Sequence, residues 1–299
     1  MSDTPLEGQI ALVTGASRGI GAAIATALAQ RGATVVGTAT SEAGAAAISD
    51  ALKPWSGRGV VLDVTDGDAC ETVVKTISTE LGSIGLLINN AGIMACPLTR
   101  VGPGWEQQFG VNHLGHFLLA GLLLPALTAA TPSRVVCLSS GAHGICGIDL
   151  DDLMFERRGY EGWAAYGQSK SANALFAREL DRRVGGRGVR ALAVHPGVIM
   201  TGLSRHLDEA AYERLKERRR AQISAAVDTS GMTPKSVEAG AATSVWAATA
   251  PELDSHGGAY LGDCQLGVPE GEPGTGPGGR GISPWILDDD AAAALWATS

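Results

Sequence analysis

The chain has 299 residues with a net charge of −8, 45% hydrophobic and 18% charged side chains, and only 5% aromatics. That composition excludes a small disulfide scaffold and a largely disordered chain, and the acidic balance argues against nucleic acid or an anionic membrane as partner. Glycine is the anomaly: 41 residues, with no three-residue period that would suggest collagen.

In chain order, Ile10–Thr14 reads as a strand, Gly19–Gln30 as a helix, Thr34–Gly37 as a strand and Glu42–Leu52 as a helix. Strands at Val60–Val64 and Leu86–Asn89 flank a helix over Ala69–Leu81. A long helix from about Trp105 to Leu124 is followed by a strand at Arg134–Leu138. A helix over Ala164–Arg183 then leads to a strand at Val189–Val194. Short apolar β-branched runs alternating with helices require a parallel sheet covered on both faces. The expected fold class is therefore α/β: a single-domain Rossmann fold with a doubly wound parallel sheet, spanning 1–299. After Pro196 the alternation loosens. A charged helix lies within 201–230, a helix near Ser236–Ala248 and a short strand at Ala259–Leu261. The Gly/Pro-rich stretch 257–284 reads as a loop, and Asp288, Asp289 and Asp290 open a last helix.

Other bulk features point to a soluble, cytoplasmic protein. The start, MSDTPLEGQIALVTG, has no basic region followed by an apolar run, so no signal peptide is expected. The run from Phe117 to Leu127 is too short to span a bilayer. Five scattered cysteines without a C-x-x-C pair favour reduced thiols.

The first strand runs into Thr14-Gly15-Ala16-Ser17-Arg18-Gly19-Ile20-Gly21. Gly15 permits a tight turn, Gly19 lets backbone amides approach a pyrophosphate, and Gly21 lets the helix lie close to the sheet. A site for NAD usually carries an acid at the end of the second strand to bind the ribose hydroxyl. Here that strand ends Thr38-Ala39-Thr40-Ser41, with no acid before Glu42, and Arg18 stands in the turn. Charge complementarity therefore favours NADP(H). Asp63 and Val64 are placed to hold the adenine. Asn90, Ala91 and Gly92 follow the fourth strand, at the edge where such sheets bind ligands.

Tyr166 and Lys170 fall at i and i+4 on one helix, hence on one face. A phenol with an ordinary pKa of about 10 is a sluggish proton donor at neutrality. An ammonium one turn away favours its ionised form. Ser140, at the end of the fifth strand, is placed to hydrogen-bond a substrate oxygen. Ser139 competes for that role, but alternation sends the two side chains to opposite faces. His113 and His116 form H-x-x-H without a further ligand, so no metal site is expected and both read as helix-packing residues. His143 and His195 lie near the site without a needed role.

With these residues in hand, the sequence resembles the short-chain dehydrogenase/reductase family over about residues 7–265. The resemblance rests on TGASRGIG, Asp63-Val64, NNAG, Asn112, Ser140, Tyr166, Lys170 and Pro196-Gly197. It implies Tyr166 as general acid/base and Lys170 as ribose ligand and tuner of Tyr166. Ser140 would orient the carbonyl, and Asn112 would hold a water relaying protons through Lys170. Pro196, Gly197, Ile199 and Thr201 would lie against the nicotinamide and phosphates. Residues 7–50 are similar to β-ketoacyl-acyl-carrier-protein reductases. From Val111 onward, VNHLGHFLL, AYGQSKSANALFAREL and GGAYLGDC resemble retinol dehydrogenase-like and WW-domain-oxidoreductase-like members. The long step from Ser140 to Tyr166 fits the second group. The extra segment Gly144–Gly162 then faces the substrate, which favours a large apolar carbonyl or alcohol compound. The expectation is NADPH-dependent reduction of a ketone or aldehyde, with 201–230 as a substrate lid. An NADP-dependent alcohol dehydrogenase and a non-catalytic NADP(H)-binding regulator stay as alternatives, and a homo-oligomer stays open.

Overall fold

The computed structural model describes residues 6–199, 235–270 and 280–299. Strand β1 (Ile10–Val13) is buried throughout, with Ala11 and Val13 entering one core and Ile10 and Leu12 the other. That two-faced burial is why a run of four apolar residues, rather than an alternating one, forms the centre of the sheet. Helix α1 (Gly19–Gln30) buries Ile24, Ala25, Leu28 and Ala29. Next come β2 (Thr34–Ala39), α2 (Glu42–Leu52), β3 (Arg58–Val61), α3 (Gly67–Glu80) and β4 (Leu86–Asn89). Ser41 and Asp66 cap α2 and α3, accepting from Gly44 N at 3.2 Å and Ala69 N at 3.0 Å.

A small antiparallel pair, β5 (Arg100–Val101) and β6 (Trp105–Glu106), precedes helix α4 (Gln107–Ala129). The expected helix over Trp105–Leu124 is corrected at both ends. The buried Glu106 carboxylate accepts from Gln108 N at 3.0 Å and Phe109 N at 2.7 Å, which fixes the start at Gln107. The helix also continues through Pro125 to Ala129. Inside it, Gly110–Leu114 forms a π-turn in which Gly115 N–H reaches back to the Gly110 carbonyl. By length and composition α4 could cross a membrane, unlike the shorter run read from the sequence. In this fold its Leu119, Leu123 and Leu127 are fully buried against the sheet.

Strand β7 (Ser133–Leu138), helix α5 (Gly162–Val184), strand β8 (Val189–His195) and helix α6 (Val237–Thr249) follow. The chain then forms β9 (Tyr260–Gly262), β10 (Gln265–Leu266), β11 (Val268–Pro269), β12 (Gly281–Ile282) and α7 (Asp289–Thr298). The main sheet runs β10-β9-β8-β7-β4-β1-β2-β3, parallel except for the edge strand β10. Leu12 faces Val36 on one side and Leu87 on the other. Helices α1, α2 and α6 cover one face, and α3, α4 and α5 the other. The chain leaves β1 toward β2 and β3, then crosses back to β4 on the opposite side of β1. That reversal opens a crevice at the carboxyl ends of β1 and β4.

The loop expected over 257–284 is also corrected where it is described. Tyr260, Leu261 and Ile282 are buried, β9 and β10 form a hairpin, and Val268 and Pro269 pair in parallel with Gly281 and Ile282. The short strand expected at Ala259–Leu261 is present as β9, one residue later, whereas strands of two residues among glycines leave too little periodicity to read. The segment proposed as a lid, 201–230, lies outside the described residues. The last helix starts as expected: Asp288 Oδ1 accepts from Asp290 N at 2.9 Å and Ala291 N at 3.0 Å.

Helix α2 lies directly on β3, with a Cβ at Gly59 falling 2.0 Å from the Ala45 carbonyl oxygen. Since that neighbour is backbone, Gly59→Ala should destabilise the protein by about 1–3 kcal/mol. A urea midpoint lowered at constant slope is the expected result, and an unchanged midpoint would refute the close packing.

Candidate active site

The crevice between β1 and β4 is a cleft of about 530 Å³. On one wall the turn after β1 contributes Gly15, Ser17, Arg18, Gly19, Ile20 and Gly21. Gly15 and Gly19 have φ of +66° and +57°, values open to glycine at little cost. A Cβ at Gly21 would stand 2.3 Å from the Gly15 carbonyl oxygen and 2.4 Å from Asn90 Nδ2, so α1 is packed as closely as its backbone permits. Helix α1 begins after Arg18 with no side-chain cap, whereas α2, α3 and α7 are each capped. Its first amides therefore point to the cleft without a side-chain acceptor at the cap position, an arrangement suited to a pyrophosphate.

The opposite wall comes from the ends of β2, β3 and β4. Thr40 lines it with Thr38 and Ala39, Asp63 and Val64 with Leu62, and Asn90, Ala91 and Gly92 with Ile93. Ser41 is not on this wall; its hydroxyl is used to cap α2. The Asp63 carboxylate accepts from Thr65 N at 2.9 Å and from the Thr65 hydroxyl at 2.7 Å. Arg18 is exposed at the mouth.

Thr14 holds the two walls in register. Its hydroxyl accepts from Asn90 N and Ala91 N, both at 2.9 Å, and lies 2.9 Å from His116 Nε2. Asn90 Nδ2 donates to the carbonyls of Thr14 at 2.8 Å and Gly15 at 3.2 Å. His116 Nδ1 lies 3.0 Å from the Asn112 carbonyl, so that nitrogen carries the proton and Nε2 accepts from Thr14. Burial pushes the His116 pKa down to about 4, which keeps this neutral form near pH 7. His116 is thus more than the helix-packing residue expected. His113 has a different partner, its Nε2 lying 2.9 Å from the Ser299 hydroxyl.

The catalytic candidates divide into two groups. Tyr166 and Lys170 line the cleft and are nearly buried, with Lys170 Nζ 5.6 Å from the centre of the Tyr166 ring. Asn112 and Ser140 are not on its walls. The Asn112 carboxamide is committed: Oδ1 accepts from Ile93 N at 2.9 Å, while Nδ2 donates to the Ile93 carbonyl at 3.0 Å and to Ser169 Oγ at 2.9 Å. It holds the loop after NNAG against α4 and α5. Ser139 does border the cleft, but its hydroxyl donates to the Lys170 carbonyl at 2.7 Å. Ser140 Oγ accepts from Ala142 N at 3.2 Å, a bond that leaves its proton to donate.

Pro196 lines the cleft beside Val237. Gly197, at φ +93°, and Ile199, bridged to Lys235, stand behind it, and Thr201 lies outside the described residues. Sequence reasoning missed Thr14, Ile93 and Val111, and gave His195 no role. Strand-end position was an available signal for Thr14. His195 Nδ1 accepts from Gly141 N at 3.1 Å and Gly197 N at 3.4 Å, joining the serine turn to the Pro196-Gly197 turn.

A family model described as short chain dehydrogenase matches residues 9–211. The chain belongs to the short-chain dehydrogenase/reductase family. Among relatives of this short-chain dehydrogenase is the short-chain dehydrogenase/reductase prx1 of Penicillium roqueforti, 37% identical over 98% of this chain and 84% of that protein. Human retinol dehydrogenase 13 is 36% identical over 100% of this chain and 85% of its own. A crystal structure of an uncharacterized protein from Mycobacterium Paratuberculosis superposes with a TM-score of 0.71 at 35% identity, covering 98% of this chain and 92% of that one. The family uses nicotinamide cofactors, and the uncapped α1 terminus with its close-packed glycines fits that group.

Lys170 is costly to place here. Its ammonium donates to the Leu138 carbonyl at 3.0 Å, and burial pushes its pKa down from 10.5 to about 8. Below pH 8 the native state carries the full penalty of a buried charge. Between pH 8 and 10.5 the native lysine is neutral while the unfolded one still binds a proton, so this group adds stability as pH rises. Asn173 Nδ2 also donates to the Leu138 carbonyl, at 2.9 Å, so removing the ammonium orphans nothing there. Lys170→Met should therefore stabilise the cofactor-free protein at pH 7 by up to about 3 kcal/mol. The gain should shrink between pH 8 and 10.5. Thermal melts of both proteins across that range test it, and a less stable variant at pH 7 would refute it.

Proposed function

We propose that this dehydrogenase is an NADPH-dependent carbonyl reductase that converts an apolar ketone or aldehyde to the alcohol. The observation that carries the proposal is the meeting of Tyr166 and Lys170 with the glycine turn in a single cleft. A dinucleotide held in this cleft would supply the hydride that the carbonyl carbon receives. Tyr166 delivers the proton to the carbonyl oxygen as general acid, and Ser140 orients that oxygen through its hydroxyl proton. Lys170 would hold the ribose, and it presents positive charge beside the phenol, which favours phenolate when the proton leaves. With the Asn112 carboxamide committed to Ile93 and Ser169, any water relay at Asn112 falls to its main-chain carbonyl.

Two observations support NADPH over NADH. Arg18 stands at the cleft mouth, and β2 runs out through Thr40 without an acid. A guanidinium is suited to the dianionic 2′-phosphate, whereas NAD would leave it without a counter-charge. For the substrate, relatives named retinol dehydrogenase and the long segment before Tyr166 favour an apolar carbonyl compound over an acyl thioester. The same chemistry run in the oxidative direction with NADP⁺ is the second reading. The acidic charge and scattered thiols suit a small-molecule enzyme of a reducing, cytoplasmic compartment.

Loss of NADPH absorbance should be followed over a panel of aldehydes and bulky ketones. Tyr166→Phe should lower turnover by about 100-fold or more while NADPH still binds. Retained turnover in that variant would overturn the mechanism. Arg18→Ala should weaken NADPH about tenfold or more and leave NADH nearly unchanged. Equal losses for both would remove the assignment of Arg18 to the phosphate.

A further inference from the structure

The turn that carries Ser140 is tied to a part of the chain beyond residues 9–211, where the family model ends. Ser140 opens the short helical turn Gly141–Ile145, and its carbonyl receives two N–H groups from one residue. These are His143 N at 3.0 Å and His143 Nδ1 at 2.8 Å. A carbonyl only accepts, so Nδ1 is protonated in this contact. Nε2 is then the acceptor, and it meets Ser283 N–H at 3.3 Å. Trp285 Nε1–H donates to the His143 carbonyl at 3.0 Å. The Tyr260 ring stands edge-on to the imidazole at 4.8 Å between centres, and the Ser283 hydroxyl donates to Glu270. His143 is 2% exposed, and burial holds its pKa below the ordinary range, in keeping with the neutral tautomer.

Both ring nitrogens of His143 are therefore occupied: Nδ1 lies between the Ser140 carbonyl at 2.8 Å and the Tyr260 hydroxyl at 3.1 Å, and Nε2 meets the C-terminal segment at Ser283. Nothing in the proton transfer itself needs this histidine. The contacts instead fix where the Ser140 backbone sits relative to Tyr166. We propose that segment 281–287 is a working part of the active site, positioning Ser140 through His143. The inference rests on the reading of Ser140 as the group that orients the carbonyl oxygen. His143 is a positioning residue here, and a small displacement of a positioned group is enough to lower turnover strongly.

The test compares Ser140→Ala, His143→Phe, His143→Asn and Trp285→Phe in the full chain. Turnover is measured with NADPH and one ketone found active in the panel, and NADPH affinity by nucleotide fluorescence. Phenylalanine keeps a ring against Tyr260 but can neither donate to Ser140 nor accept from Ser283, and it leaves the Tyr260 hydroxyl without its contact at Nδ1. Asparagine restores only the donor. His143→Phe should lower kcat by about 10- to 100-fold, with NADPH affinity and ketone KM within about twofold of the parent. His143→Asn should recover part of that loss. Trp285→Phe, which removes a single N–H, should move kcat in the same direction by a smaller factor and serves if His143→Phe does not fold. A lowered melting temperature with unchanged kcat per NADPH-binding site, in His143→Phe or in Trp285→Phe, would reduce the contacts to structure and overturn the inference. An inactive Ser140→Ala beside a fully active His143→Phe would overturn this inference alone. A fully active Ser140→Ala would remove the reading it rests on, and the inference with it.

Discussion

The cleft depends on one saturated hydroxyl. Thr14 sits where the chain leaves the sheet, and its oxygen has two lone pairs and one proton to place. Asn90 N–H and Ala91 N–H take the lone pairs, and the proton faces His116 Nε2. A valine of the same shape would leave the part-buried Ala91 N–H without its acceptor, a loss of about 1–3 kcal/mol, and Asn90 N–H with the Ile88 carbonyl at 3.0 Å alone. Those amides belong to the residues that form the far wall of the crevice. The reversal of strand order parts the walls, and Thr14 sets how far. The Asn90 side chain closes the same joint from the other strand through the carbonyls of Thr14 and Gly15. The glycines of the turn matter because this joint is tight: with Gly21 already against the Gly15 carbonyl, no side chain fits between helix and sheet.

Lys170 is the side chain in the cleft whose placement most clearly opposes stability. An ammonium at 5% exposure with a carbonyl as partner is a poor choice for a core, and a thioether of similar length would pack there without loss of solvation. The surrounding helix makes the choice tolerable. Tyr166 and Lys170 lie on the inner face of α5, a helix of 23 residues whose buried positions run from Ala165 to Val184. So long a buried contact fixes the backbone whatever the lysine costs locally. A strained group on a rigid helix is better held than the same group on a loop.

Most of this scaffold could be read before any coordinates because its signals are local. Helices α1 and α2 and strand β4 start and stop where the sequence places them, since each boundary is marked by glycine, serine or a change from β-branched to Ala-rich composition. Tyr166 and Lys170 were legible for the same reason: their spacing puts them on one helix face. The features that escaped depend on distant partners. The π-turn at Gly110–Leu114 is a change in hydrogen-bond register with no compositional mark, yet it carries Asn112. Strands β10, β11 and β12 are two residues each and gain their stability from neighbours already in place. The commitments of Ser41 to a cap and of Asn112 to Ile93 show only when the competing donors are located.

The three histidines around the site make the same point in chemical form. Each is nearly buried, and each meets the main chain at or beside a catalytic candidate: His116 at the Asn112 carbonyl, His143 at the Ser140 carbonyl, His195 at the amides of Gly141 and Gly197. The first two require the proton on Nδ1. His195 accepts two N–H groups at Nδ1 and so requires it on Nε2. A buried carbonyl and a buried amide need opposite partners, and neutral imidazole is the one side chain that gives either a donor or an acceptor at Nδ1 by moving a proton within the ring. Lysine or aspartate in these places would answer one need and bring a charge into the core. These three imidazoles therefore need not exchange protons with a substrate to shape the site; fixed in opposite tautomers, they hold the backbone that carries Ser140 and Asn112.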